Sequence, residues 1–176
     1  GQNCGGVLLN QAIHAVDLLL WFAGPPTDVF CRATRRAYTG IEAEDTAAAT
    51  LQCASGALGG IEASTALWPG WQRRIELCGE HGSVSLEDDR VARWEFRESR
   101  REDDSIRAAR DPGALGTGAS APNAISFEGH RRQIEDLVGA IHDQRAVVID
   151  GWEARKAVAV IQAMYSSAQS GKPVGL

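Results

Sequence analysis

The chain has 176 residues, of which 44% are hydrophobic and 23% are charged, a composition typical of one ordinary globular domain with a sizeable core. Its formal net charge of −5 argues against general binding to nucleic acid or membrane surfaces, because there is no basic excess to release counterions. No run approaches the roughly 20 apolar residues of a membrane span, and no signal peptide is visible. The dispersed cysteines, Cys4, Cys31, Cys53 and Cys78, form no Cys-x-x-Cys motif and fit a reducing, cytoplasmic setting.

The first stretch, Gly5–Pro25, predicts one amphipathic helix that is opened by a glycine pair and closed by Gly-Pro. Asn10, His14 and Asp17 share one face of this helix, and Gln11 lies one step to the side. Two interpretations remain open: a buried polar network that satisfies the imidazole, or a catalytic face on which His14 passes a proton and Asn10 orients it or the substrate. The apolar positions expected to bury the helix are Val7, Leu8, Ile13, Val16, Leu19, Leu20 and Trp21.

The middle of the chain predicts strands joined by short turns, which indicates a largely antiparallel sheet. The predicted strands are 29–35, 46–53, 57–66, 74–78, 83–87 and 91–96. Residues 37–44, which include Tyr38, are expected to form a loop, and the two strands flanking Ala54-Ser55-Gly56 form the clearest hairpin.

Residues 97–124 are rich in charge, Gly, Ala, Ser and Pro, and predict a flexible polar loop that is either a functional lid or, as its composition favours, partly disordered. Two helices follow, over 131–142 and 152–170, and Gly171 ends the second. The predicted class is therefore α+β, a single domain over 1–176 with an open, largely antiparallel sheet and helices packed on one face. If the second face of that sheet is also apolar, it must be covered as well, which favours a homo-oligomer.

The sequence contains no dinucleotide fingerprint, Walker loop, zinc-protease motif or nucleophile elbow. Its histidines are far apart, so no metal site is expected. Trp68, Trp71 and Arg73 flank a Pro-Gly turn and form a candidate wall for stacking on a sugar ring, although both tryptophans could instead cover a sheet edge. His130 begins a helix beside the polar loop, from where it could reach a site or remain an ordinary surface residue.

Several segments, in order along nearly the whole chain, resemble the C-terminal domain of the glucose–fructose oxidoreductase / inositol dehydrogenase / MocA (Gfo/Idh/MocA) family. These segments are 5–19, 44–47, 55–59, 75–83, 151–157 and 166–174. The resemblance implies a two-domain NAD(P)-dependent oxidoreductase acting on a sugar, cyclitol or sugar derivative. It also implies a glyceraldehyde-3-phosphate-dehydrogenase-like C-terminal domain that holds the substrate and forms oligomer contacts through its open sheet.

In that family, a Rossmann domain binds NAD or NADP, and a catalytic lysine lies in a Glu-Lys-Pro motif at its end. Neither feature occurs in this sequence, which begins with Gly and enters helical sequence almost at once. We therefore expect a C-terminal domain separated from its Rossmann domain, without a bound cofactor and inactive by itself. The alternative is a non-catalytic sugar-binding or regulatory module, like the family members that act as transcriptional co-repressors.

The family's other catalytic pair is an acidic residue and a histidine, four positions apart on the first helix of this domain. His14 matches the histidine, whereas Asn10 stands where Asp is common. An amide cannot accept a proton at neutral pH, so the departure assigns more of the proton transfer to His14 and the lysine. The resemblance thus implies His14 and Asn10 as catalytic residues. Gln11, Trp68, Trp71, Arg73 and His130 are the candidate residues for binding a sugar or polyol substrate.

Overall fold

A computed structural model of the chain describes residues 5–88, 90–108 and 127–176. The first helix begins with a π-helical turn, Leu8–Ala12, that continues into α1. The elements that follow the π-turn are α1 (Ile13–Ala23), β1 (Pro26–Thr34), β2 (Thr46–Cys53), β3 (Leu58–Ser64), β4 (Arg74–Gly79), β5 (Gly82–Glu87), β6 (Arg90–Phe96), α2 (Asp103–Ala108), α3 (Glu128–His142), α4 (Gly151–Ser170) and β7 (Val174–Gly175). None of the helices in the described ranges is long and apolar enough to cross a lipid bilayer.

The described strands pair as two antiparallel sheets, which confirms the α+β class and the antiparallel pairing. A four-stranded sheet has the order β3-β2-β1-β7, and a three-stranded sheet has the order β4-β5-β6. The prediction of one sheet is therefore corrected, because local alternation identifies strands but not their partners. The chain divides into two compact units, one of Gly1–Pro69 with Ile149–Leu176 and the other of Gly70–Val148.

In the first unit, helices cover one face of the four-stranded sheet. Strand β2 alternates between buried and exposed positions, as a strand with one covered face should. Helix α4 packs on β1, and α1 packs on α4. The buried residues of this core are Val7, Leu8, Ala12, Val16, Leu20, Val29, Cys31, Ala47, Ala49, Leu51, Ala157, Val160, Ile161, Ala163 and Met164. The opposite face keeps Thr50 and Gln52 exposed.

In the second unit, α2 lies within the segment predicted as a flexible loop. The carboxylate of Asp103 is buried and accepts hydrogen bonds from Trp94 Nε1 (2.8 Å) and the Arg100 N–H (2.7 Å). These contacts hold α2 against β6. Residues 103–108 are therefore helical and not part of a loop, and the prediction for 109–124 lies outside the described residues.

One further prediction about burial is corrected. Trp21 is 76% exposed, because the core packs against the side of α1 that carries Val16 and Leu20. Helix α3 forms where its apolar stripe predicts a helix, but the stripe itself is exposed, at Ile134, Leu137, Val138 and Ile141. Strand β7, which follows Pro173, was not predicted, because two residues are too few to show alternation.

Ser167 joins α4 to the sheet, and its loss should destabilise the first unit. Its fully buried Oγ accepts the Cys31 N–H (2.9 Å) and donates to the Lys172 carbonyl (2.6 Å). We expect Ser167→Ala to lower the free energy of unfolding by about 1–3 kcal/mol, because the buried Cys31 N–H and the partly buried Lys172 carbonyl lose their partner. Urea denaturation measures this change. In contrast, Ser166→Ala removes an exposed hydroxyl that bonds only within its own helix at Gln162 and should change the value by less than about 0.5 kcal/mol.

Candidate functional site

The start of the first helix lies beside a cavity of the first unit with a volume of about 230 Å³. The helix start forms one wall, and the loop between β1 and β2 forms the other. The lining residues are Gly5, Gly6, Val7, Asn10, Gln11, Tyr38, Ile41, Ala43, Glu44, Asp45 and Thr65. Two of the predicted site residues, Asn10 and Gln11, are therefore brought to one cavity.

Glu44 reaches across from the loop and caps the start of the helix. Its backbone carbonyl accepts the Val7 N–H (3.0 Å), and its Oε1 accepts the Leu8 N–H (3.0 Å). The same Oε1 accepts the hydroxyl of Tyr165 on α4 (2.9 Å). The first N–H groups of a helix have no partner within it, so a residue 36 positions away supplies the acceptors.

Asp45 shapes the opposite wall of the cavity. Its buried carboxylate accepts the backbone N–H groups of Arg36, Ala37 and Tyr38 at 2.8–3.0 Å and the hydroxyl of Thr46 at 2.9 Å. These hydrogen bonds, led by the one from Tyr38, hold the pKa of Asp45 well below its usual range, against the opposing effect of burial. The loop that carries Tyr38 is thus fixed by an ionised carboxylate.

This carboxylate makes a pH-dependent contribution to stability. Because the pKa of Asp45 is lower in the folded protein, its contribution is complete above the unfolded pKa of about 4 and is lost as the pH falls through the folded pKa. Asp45→Asn should therefore lower the thermal unfolding midpoint by several degrees at neutral pH, and the difference from wild type should shrink below about pH 4. Calorimetry across this pH range measures both. Glu62→Gln, at an exposed position of β3, is the control; a wild-type advantage that stays constant down to strong acid would contradict the account.

The polar face of the first helix is exposed. Asn10, Gln11, His14 and Asp17 are all exposed, and no hydrogen bond or ion pair holds the Asn10 or His14 side chain anywhere in the described ranges. The interpretation as a buried polar network is therefore wrong. The π-turn before α1 is wider than an α-helical turn, and it keeps Asn10 and His14, four positions apart, on the same side.

The other predicted site residues belong to different parts of the chain. Trp68, in the first unit, is 94% exposed, and Trp71, in the second, is also exposed, so neither is buried against a sheet edge. Arg73 lies in the second unit, where its Nη2 donates to the Asp88 carbonyl (3.0 Å). His130 is exposed on α3, also in the second unit.

Sequence reasoning missed most residues of the cavity wall, among them Tyr38 and Glu44. Tyr38 was assigned only to a loop, and its hydroxyl donates to the Thr65 carbonyl (3.3 Å). Glu44 was noted only within the family-like segment 44–47. Because Glu44 acts through the fold and not through neighbours in sequence, no local pattern could have identified its partners.

The chemistry of the cavity fits the hydroxyl groups of a ligand. Its two carboxylates, Glu44 and Asp45, are already engaged in hydrogen bonds, and no Lys, Arg or His is found among the described lining residues. The amides of Asn10 and Gln11 can each donate to and accept from a hydroxyl group. In the described part of the chain, no group of His, Cys, Asp and Glu could hold a metal ion.

Residues 1–85 match the family model described as the GFO/IDH/MocA C-terminal domain. The WlbA dehydrogenase from Bordetella pertussis, solved in complex with NADH and UDP-GlcNAcA, is 30% identical to this chain with a TM-score of 0.79. Residues 1–85 of this chain are thus similar to a GFO/IDH/MocA C-terminal domain. The WlbA dehydrogenase from Chromobacterium violaceum, solved with the same two ligands, matches it equally well, at 30% identity and a TM-score of 0.79. In both cases the match covers 98% of this chain and 46% of the other, so the chain spans about half the length of these dehydrogenases.

More distant members of the fold are also oxidoreductases. The aldose-aldose oxidoreductase from Caulobacter crescentus is 19% identical, with a TM-score of 0.69 over 98% of this chain and 48% of that one. At this level of identity the match shows the fold alone. No curated protein sequence matches the chain.

Proposed function

We propose that this chain is the substrate-binding part of an NAD(P)-dependent dehydrogenase that oxidises a hydroxyl group of a sugar, a sugar nucleotide or a cyclitol. The observation that carries the proposal is the exposed face of the first helix, where Asn10 and Gln11 line a cavity and His14 follows on the same side. The likeness to two dehydrogenases solved with NADH and UDP-GlcNAcA supports a sugar nucleotide as the first substrate to test.

In this proposal, each residue of the helix face has a separate task. The Asn10 amide holds the reacting hydroxyl group but cannot take its proton. The His14 imidazole takes that proton as general base. Gln11 holds a neighbouring hydroxyl group, and Trp68, in the same unit, is a candidate for contacting the rest of the substrate.

The residues of this chain include no dinucleotide fingerprint, so they fit a substrate-binding role and not a coenzyme-binding one. A Rossmann domain outside this sequence would bind NAD or NADP, which accepts the hydride when bound. The isolated chain should therefore be inactive. The uncovered face of the four-stranded sheet is proposed as the contact surface of a homo-oligomer.

The test is a steady-state assay of the full-length protein with NAD⁺ or NADP⁺ and a panel of UDP-linked uronic acids, aldoses and cyclitols. We expect reduction of the coenzyme with at least one of these compounds, and no reduction by the isolated 176-residue chain. Sugar binding without coenzyme reduction would overturn the proposal in favour of a non-catalytic sugar-binding module.

A further inference from the structure

Glu44 makes contacts that a simple helix cap does not require. It holds two consecutive N–H groups, those of Val7 and Leu8, with two different oxygen atoms. On the other side of this turn, the Leu8 side chain is completely buried in the core. The backbone just before Asn10 is therefore held both by Glu44 and by the core.

Tyr165 in turn fixes the carboxylate of Glu44. Burial, and next the hydrogen bond to Glu44, raise the pKa of Tyr165 to about 12, so its hydroxyl group remains protonated and donates at physiological pH. The donor comes from α4, whose neighbouring residues Ile161 and Met164 belong to the core. The position of the helix start is thus tied to α4, which packs on β1.

These contacts lie within one helical turn of the cavity. The Asn10 N–H bonds to the Gly6 carbonyl (3.0 Å), so Gly6, Val7, Leu8 and Asn10 form one closed turn. Any shift of Val7 or Leu8 moves the side chains of Asn10 and Gln11 where they line the cavity. An error of about 1 Å in the position of a reacting group can cost about 100-fold in rate.

We propose that Glu44 and Tyr165 are positioning residues, which hold the first turn of the helix so that Asn10 and Gln11 meet the substrate. This inference rests on the proposed function. Neither residue takes part in proton transfer. Their role is instead to align the amide side chains of Asn10 and Gln11.

The positioning role of Glu44 and Tyr165 predicts an order of activities among variants of the full-length protein. Tyr165→Phe removes one hydroxyl group and keeps the ring, and it should lower kcat/KM for the sugar by about tenfold, within the range that misplacement can produce. Glu44→Ala leaves the Leu8 N–H and the Tyr165 hydroxyl without their acceptor and should lower kcat/KM by about 100-fold. Glu44→Gln retains an acceptor oxygen and should recover most of the activity. The KM for the coenzyme should stay unchanged in all three variants.

Two controls separate positioning from a general loss of folding. Glu153→Ala removes an exposed glutamate of α4 that pairs with Lys156 and should leave activity unchanged. Amide hydrogen exchange should accelerate at Val7 and Leu8 in Glu44→Ala, while α4 keeps its protection. If Glu44→Ala fails to fold, the kcat/KM and the amide hydrogen exchange of Tyr165→Phe decide whether the pair positions the start of the helix.

The failure of this inference differs from the failure of the proposed function. An active wild type whose Tyr165→Phe and Glu44→Ala variants keep full kcat/KM overturns the positioning role alone. Equal losses in Glu44→Gln and Glu44→Ala also contradict it, because an uncharged acceptor should suffice. If the wild type oxidises no sugar, the proposed function fails and the positioning role for a substrate falls with it.

Discussion

His14→Ala in the full-length protein should lower kcat by about 100- to 10,000-fold, the usual contribution of a general base. The ring of His14 is exposed on the first helix, and its removal leaves no buried group without a partner. We therefore expect the unfolding midpoint and the KM for the coenzyme to stay close to the wild-type values. Steady-state kinetics with the best sugar substrate, together with thermal unfolding, measure both effects.

Asp17→Ala is the matched control for this prediction. Asp17 lies on the same helix, is also exposed, and carries no part of the proposed chemistry. It should keep nearly wild-type turnover. A His14→Ala protein that turns over as fast as Asp17→Ala would remove His14 from the mechanism.

Gly6→Ala should have the largest structural effect near the site. A Cβ atom at Gly6 would overlap the carboxylate of Glu44 and its backbone carbonyl, and the carbonyl cannot rotate away. The Glu44 cap would have to open, with loss of its hydrogen bonds to Val7 and Leu8. We expect the free energy of unfolding to fall by about 1–3 kcal/mol, as in other overpacked sites, and sugar turnover to fall with it.

Gly129→Ala provides the comparison for the glycine substitution. Gly129 lies in α3, and a Cβ atom there would meet nothing within 4 Å. Alanine is the better helix former, so stability should stay the same or rise slightly. A Gly6→Ala protein as stable as Gly129→Ala in urea denaturation would contradict the tight contact between Gly6 and Glu44.

Local patterns predicted the elements of this fold well and their partners poorly. The β2–β3 hairpin, α3 and α4 form where alternation, helical periodicity and the closing Gly171 indicate them. In contrast, the separation of β4, β5 and β6 into their own sheet depends on long-range pairing, which alternation within one strand does not encode. The exposed stripe of α3 shows the same limit, since periodicity predicts a helix but not what packs against it.

Part of the candidate site could also be predicted from the sequence, and part could not. The spacing of Asn10 and His14 identified a polar face on one helix, and their exposure agrees with a functional face. The cap by Glu44 could not be predicted, because it joins residues 36 positions apart. Tyr165 lies within the predicted helix 152–170, but periodicity does not show that its hydroxyl group reaches Glu44 from α4.

The most direct test of the account is hydride transfer from a ring-deuterated sugar nucleotide to the coenzyme in the full-length protein. We predict that one deuterium appears on the nicotinamide ring in a single turnover of the wild type, and that His14→Ala transfers it at least about 100-fold more slowly. A wild-type protein that binds both ligands and transfers no deuterium would contradict the account.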